Sequence, residues 1–128
     1  MMGSVTITGA STGIGWATTQ VLLAHGIHVY AGVRRAEDAE RLRRTFGAGV
    51  TPILLDVTDV TSIAAAAAAV ERQLAGARLM GLVNNAGVAV AGPLLHLPME
   101  EFRRQLEVNL VGPLQVSQAF LPLLGTDR

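Results

Sequence analysis

A glycine-rich segment near the beginning of the chain carries the most specific chemistry in the sequence. It runs from Thr8 to Gly15, reads TGASTGIG and directly follows a β-branched run that predicts a strand. Glycines let a backbone turn sharply and approach a ligand, and a helix beginning there offers free N–H groups and a partial positive charge. The spacing is G-x-x-x-G-x-G rather than the commoner G-x-G-x-x-G. The segment predicts a pyrophosphate-binding turn, and a tight turn without a ligand is the alternative.

Two arginines, Arg34 and Arg35, stand where the second strand is predicted to end. In dinucleotide-binding folds, an acidic residue at this place accepts a hydrogen bond from the ribose 2′-hydroxyl of NAD. Guanidinium groups instead suit the 2′-phosphate of NADP, because they form charge-assisted and bidentate hydrogen bonds. The pair therefore predicts a preference for NADP over NAD, and a solvated pair at the start of a helix is the alternative.

Polar residues also follow the third and fourth predicted strands. Asp56 ends the third strand, and its carboxylate can accept from an adenine amino group because strand ends face the ligand in doubly wound sheets. Thr58 and Asp59 come next, so an N-cap for the following helix is the alternative. The fourth strand ends in Asn84-Asn85-Ala86-Gly87, where amides can bridge strand ends and small residues leave room for a flat ring. Combined with the glycine-rich turn, this segment is predicted to belong to the same site.

These residues require strands and helices that alternate along the chain. Short apolar runs predict strands over 5–8, 27–33, 50–55 and 79–83. Helical spacing and glycine stop signals predict helices over 15–25, 36–46, 59–75 and 98–124. A strand followed each time by a helix indicates parallel strands with helices on both faces. We therefore expect an α/β, Rossmann-type doubly wound parallel sheet.

Composition narrows the classes of function. The chain has 128 residues, half of them hydrophobic, which fits one domain with its own core. Its ten basic and ten acidic residues cancel, which argues against a nucleic-acid or membrane partner. It contains no cysteine and only three scattered histidines, so no metal site is expected. No stretch reaches the roughly 18 apolar residues of a membrane span, and a cytoplasmic location is expected.

The motifs, in this order and spacing, resemble the short-chain dehydrogenase/reductase family. The resemblance runs along the whole chain and rests on four stretches, which are Thr8 to Gly15, Asp56-Val57, Asn84 to Gly87 and Val108-Asn109-Leu110. The stretches 83–93, 101–102 and 118–124 are similar to the retinol and hydroxysteroid dehydrogenase-like branch. The resemblance implies hydride transfer between a nicotinamide cofactor and a small-molecule alcohol or carbonyl substrate.

The resemblance also implies a role for each matching residue. The expected contacts of the pyrophosphate and nearby ribose are Gly9, Ser11, Thr12, Gly13, Ile14 and Gly15. The expected contacts of the adenine are Asp56 and Val57, and those of the adenosine ribose and cleft floor are Asn84, Asn85, Ala86 and Gly87. Arg34, with Arg35, would bind the 2′-phosphate. Asn109 matches the asparagine of the family's Asn-Ser-Tyr-Lys catalytic set and would support a water-linked proton relay; an internally packed polar residue is the alternative.

Members of this family run to roughly twice this length and carry the catalytic Ser and Tyr-x-x-x-Lys beyond the part that this chain resembles. The chain contains no lysine, and its one tyrosine is Tyr30, in the second predicted strand. We therefore expect residues 1–128 to form a single incomplete Rossmann domain, truncated after the fourth strand and the following long helix, with no dehydrogenase activity alone. The full-length form is expected to be a homo-oligomer that pairs through the long helix. The alternatives are a truncated NADP-binding module without catalytic activity and a fragment that binds no cofactor.

Overall fold

Strands and helices alternate along the chain in the computed structural model, which describes residues 3–125. The strands are β1 (Ser4–Ile7), β2 (His28–Val33), β3 (Val50–Leu54) and β4 (Gly81–Val83). The helices are α1 (Gly13–Ala24), α2 (Ala36–Phe46), α3 (Val60–Leu74), α4 (Met99–Leu106) and α5 (Gly112–Phe120). A π-helical turn, Glu107–Val111, connects α4 to α5, and short 3₁₀ turns cover Gly47–Gly49, Leu94–His96 and Leu121–Leu123.

The four strands form one parallel sheet in the order β3-β2-β1-β4. The chain moves outward in one direction from β1 to β3, and then returns to place β4 on the other side of β1. The loops after β1 and β4 consequently leave the sheet toward opposite sides. Such a reversal opens a crevice at the carboxyl ends of the strands, which is where doubly wound folds bind ligands.

Two apolar clusters cover the two faces of the sheet. One joins the sheet to α1 and α2 and contains Ile7, Val29, Val33, Leu42 and Val50, with Trp16 and Phe46 at its border. The other joins the sheet to α3 and α5 and contains Tyr30, Leu55, Ile63, Val70, Leu79, Val116 and Phe120. Helices on both faces bury β1 and β2 almost throughout their length, so the predicted Rossmann-like α/β fold is confirmed.

The predicted helix boundaries shift where capping residues decide them. α1 begins at Gly13, two residues before the predicted start, because Thr12 is extended, with φ −151°, and serves as the N-cap. α3 begins after Asp59, whose carboxylate accepts hydrogen bonds from the N–H groups of Thr61 and Ser62 at 2.9 and 3.3 Å. It ends at Leu74, and the C-cap residue Ala75 takes the left-handed conformation with φ 49°.

The predicted continuous helix over 98–124 is interrupted. The π-helical turn Glu107–Val111 inserts between α4 and α5, and the regular helix ends at Phe120. Gly112 follows the π turn and lies against Val57, since a Cβ built on it would stand 3.0 Å from the Val57 carbonyl oxygen. The change in helical pitch and the missing side chain bring this helix close to the loop after β3. Across residues 3–125, no helix combines the length and the apolar character needed to cross a membrane.

Candidate functional site

A cleft of about 350 Å³ lies at the carboxyl ends of the strands. Its volume falls within the range usual for ligand pockets, roughly 300 to 1,000 Å³. The segments that follow all four strands line it, together with one residue of the π-helical turn. The lining residues are Gly9, Ser11, Thr12, Gly13, Ile14, Gly32, Val33, Arg34, Leu55, Asp56, Val57, Thr58, Asn85, Ala86, Gly87, Val88 and Val108. The fold therefore gathers most of the predicted cofactor-binding residues around one space.

The glycine-rich turn forms one wall of this cleft. Gly9 and Gly13 both have left-handed backbones, with φ 64° and 57°. A Cβ built on Gly9 would stand 2.8 Å from the Ala86 Cα, so the absence of a side chain lets the turn and the loop after β4 touch. Within the described residues, the Thr12 side chain does not cap α1, and no acidic residue lies in the first turn. The first N–H groups of α1 and its positive dipole end remain available to an anion.

Gly15 lies behind the turn rather than in the cleft lining. It is buried, and a Cβ built on it would overlap the Gly9 carbonyl and stand 2.5 Å from Nδ2 of Asn85. Gly15 thus holds a packing position, and its contact with a pyrophosphate stays a prediction. The third glycine of the motif allows α1 to approach the end of β1.

A hydrogen-bond network joins the ends of β1 and β4. The buried hydroxyl of Thr8 accepts from the backbone N–H groups of Asn85 and Ala86, each at 3.0 Å. In return, Nδ2 of Asn85 donates to the carbonyl oxygens of Thr8 and Gly9 at 3.1 and 2.9 Å. Asn85 thus bridges two strand ends, as expected for the amide segment. The motif includes Thr8 but gives its side chain no role, because its hydrogen-bond partners lie 77 and 78 positions away in the sequence.

Asp56 presents an ionised carboxylate to the cleft. Its Oδ1 accepts from the Thr58 hydroxyl at 2.7 Å and from the Thr58 N–H at 2.9 Å. These bonds hold the pKa of Asp56 below its usual value, and the positive charge of Arg34 contributes in the same direction. The N-cap alternative for Asp56 is wrong, because Asp59 caps α3. Oδ1 takes both bonds from Thr58, so Oδ2 is the oxygen that can face a ligand.

The two arginines after β2 separate in the fold. Arg34 lines the cleft, whereas Arg35 is exposed outside the lining, at the N-cap position of α2. Successive side chains of an extended backbone point to opposite sides, so only one of two neighbours faces a given space. Arg34 is accordingly the cation of the pair that stands beside the ligand space.

Two predicted asparagines lie outside the cleft lining and join the loop after β4 to the long helix. Asn84 is exposed, and its Nδ2 donates to the Ser117 hydroxyl of α5 at 3.1 Å. Asn109 lies in the π-helical turn, where its Oδ1 accepts from the Val88 N–H at 2.9 Å and its Nδ2 donates to the Val88 carbonyl at 2.7 Å. Asn109 is exposed, so internal packing does not describe it. The pair of bonds fixes the loop after β4 against the helix.

The cleft also contains residues that the sequence reasoning missed. Gly32 packs close to β1, with a built Cβ 3.0 Å from the Ile7 carbonyl, and its own carbonyl accepts from the Ala10 N–H at 2.9 Å. Val88 and Val108 supply apolar lining between the loop after β4 and the π turn. Their apolar side chains give no local signal. Thr58 could have been found from the sequence, since an aspartate side chain often accepts a hydrogen bond from the backbone N–H two residues on.

Removal of the Thr8 hydroxyl is expected to loosen the joint between β1 and β4. Thr8→Val keeps the shape but leaves the Ala86 N–H without its acceptor, while the Asn85 N–H retains only the Val83 carbonyl at 3.1 Å. An unpaired buried donor costs about 1–3 kcal/mol of unfolding free energy. Thr8→Ser keeps the hydroxyl and serves as the control. Urea denaturation measures both variants, and a Thr8→Val midpoint equal to that of the wild type would contradict the assigned network.

Comparisons with known proteins identify similar chains. Residues 4–128 match the family described as short chain dehydrogenase. The chain is 37% identical over 122 residues to the NADPH-dependent 3-dehydrocapnine reductase of Ornithobacterium rhinotracheale, covering 95% of this chain and 43% of that protein. It is 42% identical over 125 residues to human retinol dehydrogenase 5, covering 97% of this chain and 39% of that protein. The chain thus spans about two fifths of the length of these curated relatives.

Solved structures of similar proteins superpose on almost the whole chain. An NADPH-bound carbonyl reductase from chicken fatty liver superposes with a TM-score of 0.87 at 36% identity, covering 95% of this chain and 51% of that one. A short-chain dehydrogenase from Streptomyces avermitilis superposes with a TM-score of 0.86 at 33% identity, covering 95% of this chain and 44% of that one. Both enzymes contain the present fold as about half of their chain.

Proposed function

Because the chain belongs to the short-chain dehydrogenase family, we propose that residues 1–128 supply the NADP-binding part, as one incomplete Rossmann domain, of an oxidoreductase that interconverts alcohols and carbonyls. One observation carries the proposal. The uncapped N-terminus of α1, the Arg34 guanidinium and the Asp56 carboxylate meet around one cleft of about 350 Å³. The helix N-terminus suits a pyrophosphate, the guanidinium suits a 2′-phosphate, and the carboxylate can accept a hydrogen bond from an adenine amino group.

Each group of lining residues has a part in holding the dinucleotide. The glycine-rich turn and the first N–H groups of α1 receive the pyrophosphate, and the exposed Ile14 covers apolar parts of the cofactor. Arg34 binds the 2′-phosphate, and Arg35 adds positive charge from outside the lining. The Asp56 carboxylate accepts from the adenine amino group beside Val57. The bound cofactor supplies the hydride chemistry, which belongs to its nicotinamide ring.

The loop after β4 forms the floor of the proposed site. Asn85, Ala86 and Gly87 line the cleft, and Asn84 secures the loop to α5 through Ser117. Asn109 holds the next residue of the loop, Val88, through both of its amide groups. We propose that Asn109 takes part in proton relay through its backbone, because its side chain is already committed to Val88.

The names of the relatives indicate a class of substrate. Those relatives are called reductases of a 3-dehydrocapnine or of carbonyls, or retinol dehydrogenases. We accordingly propose a small-molecule alcohol or carbonyl as the substrate. The cytoplasmic location stays a prediction.

A second candidate function is an NADP-binding module without catalysis. The single tyrosine, Tyr30, is buried in β2 and packs edge-on against His28, with ring centroids 5.0 Å apart. Burial also raises the pKa of its phenol, which disfavours proton transfer at neutral pH. Tyr30 thus lies in the core, away from the cleft, and cannot act as the general acid there.

The first test is cofactor selectivity. The chain is expected to bind NADPH about tenfold or more tightly than NADH, because a charge-assisted hydrogen bond contributes about 1.5–3 kcal/mol. Arg34→Met should weaken NADPH binding by roughly 10- to 150-fold and leave NADH binding unchanged. Fluorescence titration measures the four dissociation constants.

The matched control for Arg34 is Arg72→Met. Arg72 is an exposed arginine in the last turn of α3, outside the cleft lining. It should leave the affinity for both cofactors unchanged. Equal affinities of the wild-type chain for NADPH and NADH would contradict the proposed preference.

The second test separates the two candidate functions from a complete enzyme. Purified residues 1–128 should oxidise no NADPH when ketones or aldehydes are added, since they contain no lysine and their tyrosine is buried. The absorbance of the reduced cofactor follows the reaction. Steady turnover by this chain would refute the proposal that residues 1–128 bind the cofactor without catalysing the reaction.

The third test concerns the proposed homo-oligomer. An apolar stripe with a spacing of three or four residues runs along the helix from α4 into α5 and is 41–65% exposed; its members are Met99, Phe102, Leu106, Leu110 and Leu114. We propose that a second copy covers this stripe. In the full-length form, Leu110→Glu should shift the sedimentation profile from oligomer to monomer. Val21→Glu, on the exposed side of α1, should leave the profile unchanged. An unchanged profile for Leu110→Glu would exclude this surface.

A further inference from the structure

A long side chain outside the cleft reaches the glycine-rich turn. Arg41 belongs to α2, and its guanidinium donates a hydrogen bond through Nη2 to the backbone carbonyl of Ser11, 30 positions earlier. Ser11 lines the cleft, whereas Arg41 does not. The contact therefore connects the second helix to the ligand-facing turn from behind.

Two further contacts hold the Arg41 guanidinium in this position, and a third supports one of them. It lies over the indole ring of Trp16, with 5.1 Å between its carbon and the ring centroid. Trp16 in turn packs against Phe46, with ring centroids 4.9 Å apart. The Asp38 carboxylate stands 3.5 Å from Nη2 and supplies a counter-charge. Phe46 and Arg41 of α2 thus both contact Trp16 of α1, and the Arg41 guanidinium also bonds to Ser11.

The Ser11 carbonyl is a critical point for the conformation of the turn. Ser11 lies between Gly9 and Gly13, both left-handed, and glycines tolerate many other backbone conformations. The Gly9 carbonyl is held by Asn85, and the Ala10 N–H is held by Gly32. Arg41 anchors the next residue, Ser11, two positions before α1 begins.

We propose that Arg41 is a positioning residue that fixes the glycine-rich turn in the conformation that receives the dinucleotide. The proposal rests on the proposed function for its ligand, but the anchoring itself is a property of the free chain. Arg41 acts through the Ser11 backbone, and its charge is balanced by Asp38. It therefore assists NADPH and NADH alike, which separates its role from the 2′-phosphate contact of Arg34.

The chain offers a matched control on the same helix. Arg43 pairs with Glu40 at 3.5 Å, just as Arg41 pairs with Asp38, and both arginine side chains are about half exposed. Among the contacts that the structure describes, Arg43 bonds to no residue of the turn. Arg41→Met and Arg43→Met thus remove the same charge and the same kind of ion pair, and only the first removes the anchor.

The first readout is amide hydrogen exchange of the free chain, without any cofactor. Arg41→Met should accelerate exchange of the hydrogen-bonded amides of Ala10 and Trp16 about three- to tenfold, the range expected for one net hydrogen bond. Exchange within α3 should stay unchanged in the same sample, which separates a loosened turn from a destabilised fold. Arg43→Met should leave all of these rates at the wild-type values. Unchanged rates for Ala10 and Trp16 in Arg41→Met would overturn the proposal.

The second readout is the dissociation constant of each cofactor. Arg41→Met should raise the constants for NADPH and NADH by the same factor, about three- to tenfold, and so keep their ratio. A rise confined to NADPH would make Arg41 a phosphate contact instead, and no rise would remove its positioning role. If Arg41→Met does not fold, Arg41→Gln gives the same readouts, because glutamine is a polar helix former whose shorter side chain carries no guanidinium. A wild-type chain that binds neither cofactor would refute the proposed function, while hydrogen exchange would still decide whether Arg41 anchors the turn.

Discussion

The hydrogen bonds of Thr8 and Asn85 are the constraint on which the rest of the site depends. β1 lies between β2 and β4, and the loops after β1 and β4 leave toward opposite sides of the sheet. The Thr8 hydroxyl and the Asn85 amide hold these loops together through four hydrogen bonds of 2.9–3.1 Å. The Thr8 hydroxyl is buried, where an unpaired donor or acceptor is costly, so the arrangement is strongly specified. The cleft opens where these loops part.

Charged groups of both signs surround the cleft, although the formal net charge of the chain is zero. The N-terminus of α1 and Arg34 provide positive potential on one side, and the Asp56 carboxylate provides an acceptor on another. Thr58 keeps that carboxylate ionised through two hydrogen bonds. The site can therefore attract an anionic ligand and still recognise a donor group, without any excess of positive charge over the whole surface.

The long helix supports the cleft from the β4 side through its irregular part. The π-helical turn places Asn109 where both of its amide groups bond to Val88, and it places Val108 in the cleft lining. Gly112 then allows the helix to lie against Val57, in the loop after β3. π turns inside helices often occur at functional sites, because they redirect side chains without breaking the helix. Here the π turn and the following Gly112 bring the loops after β3 and β4 into contact with the same helix.

Local patterns in the sequence determined the alternation of strands and helices, the parallel sheet and the glycine-rich turn, since periodicity and glycine act over a few neighbouring residues. Tertiary structure alone decided which arginine faces the cleft, because Arg34 lines it and Arg35 lies outside the lining. It also decided that Asn84 and Asn109 join the loop after β4 to the long helix, and that Arg41 reaches Ser11 across 30 positions. Such contacts join residues far apart in the chain, and no spacing rule within a single segment encodes them.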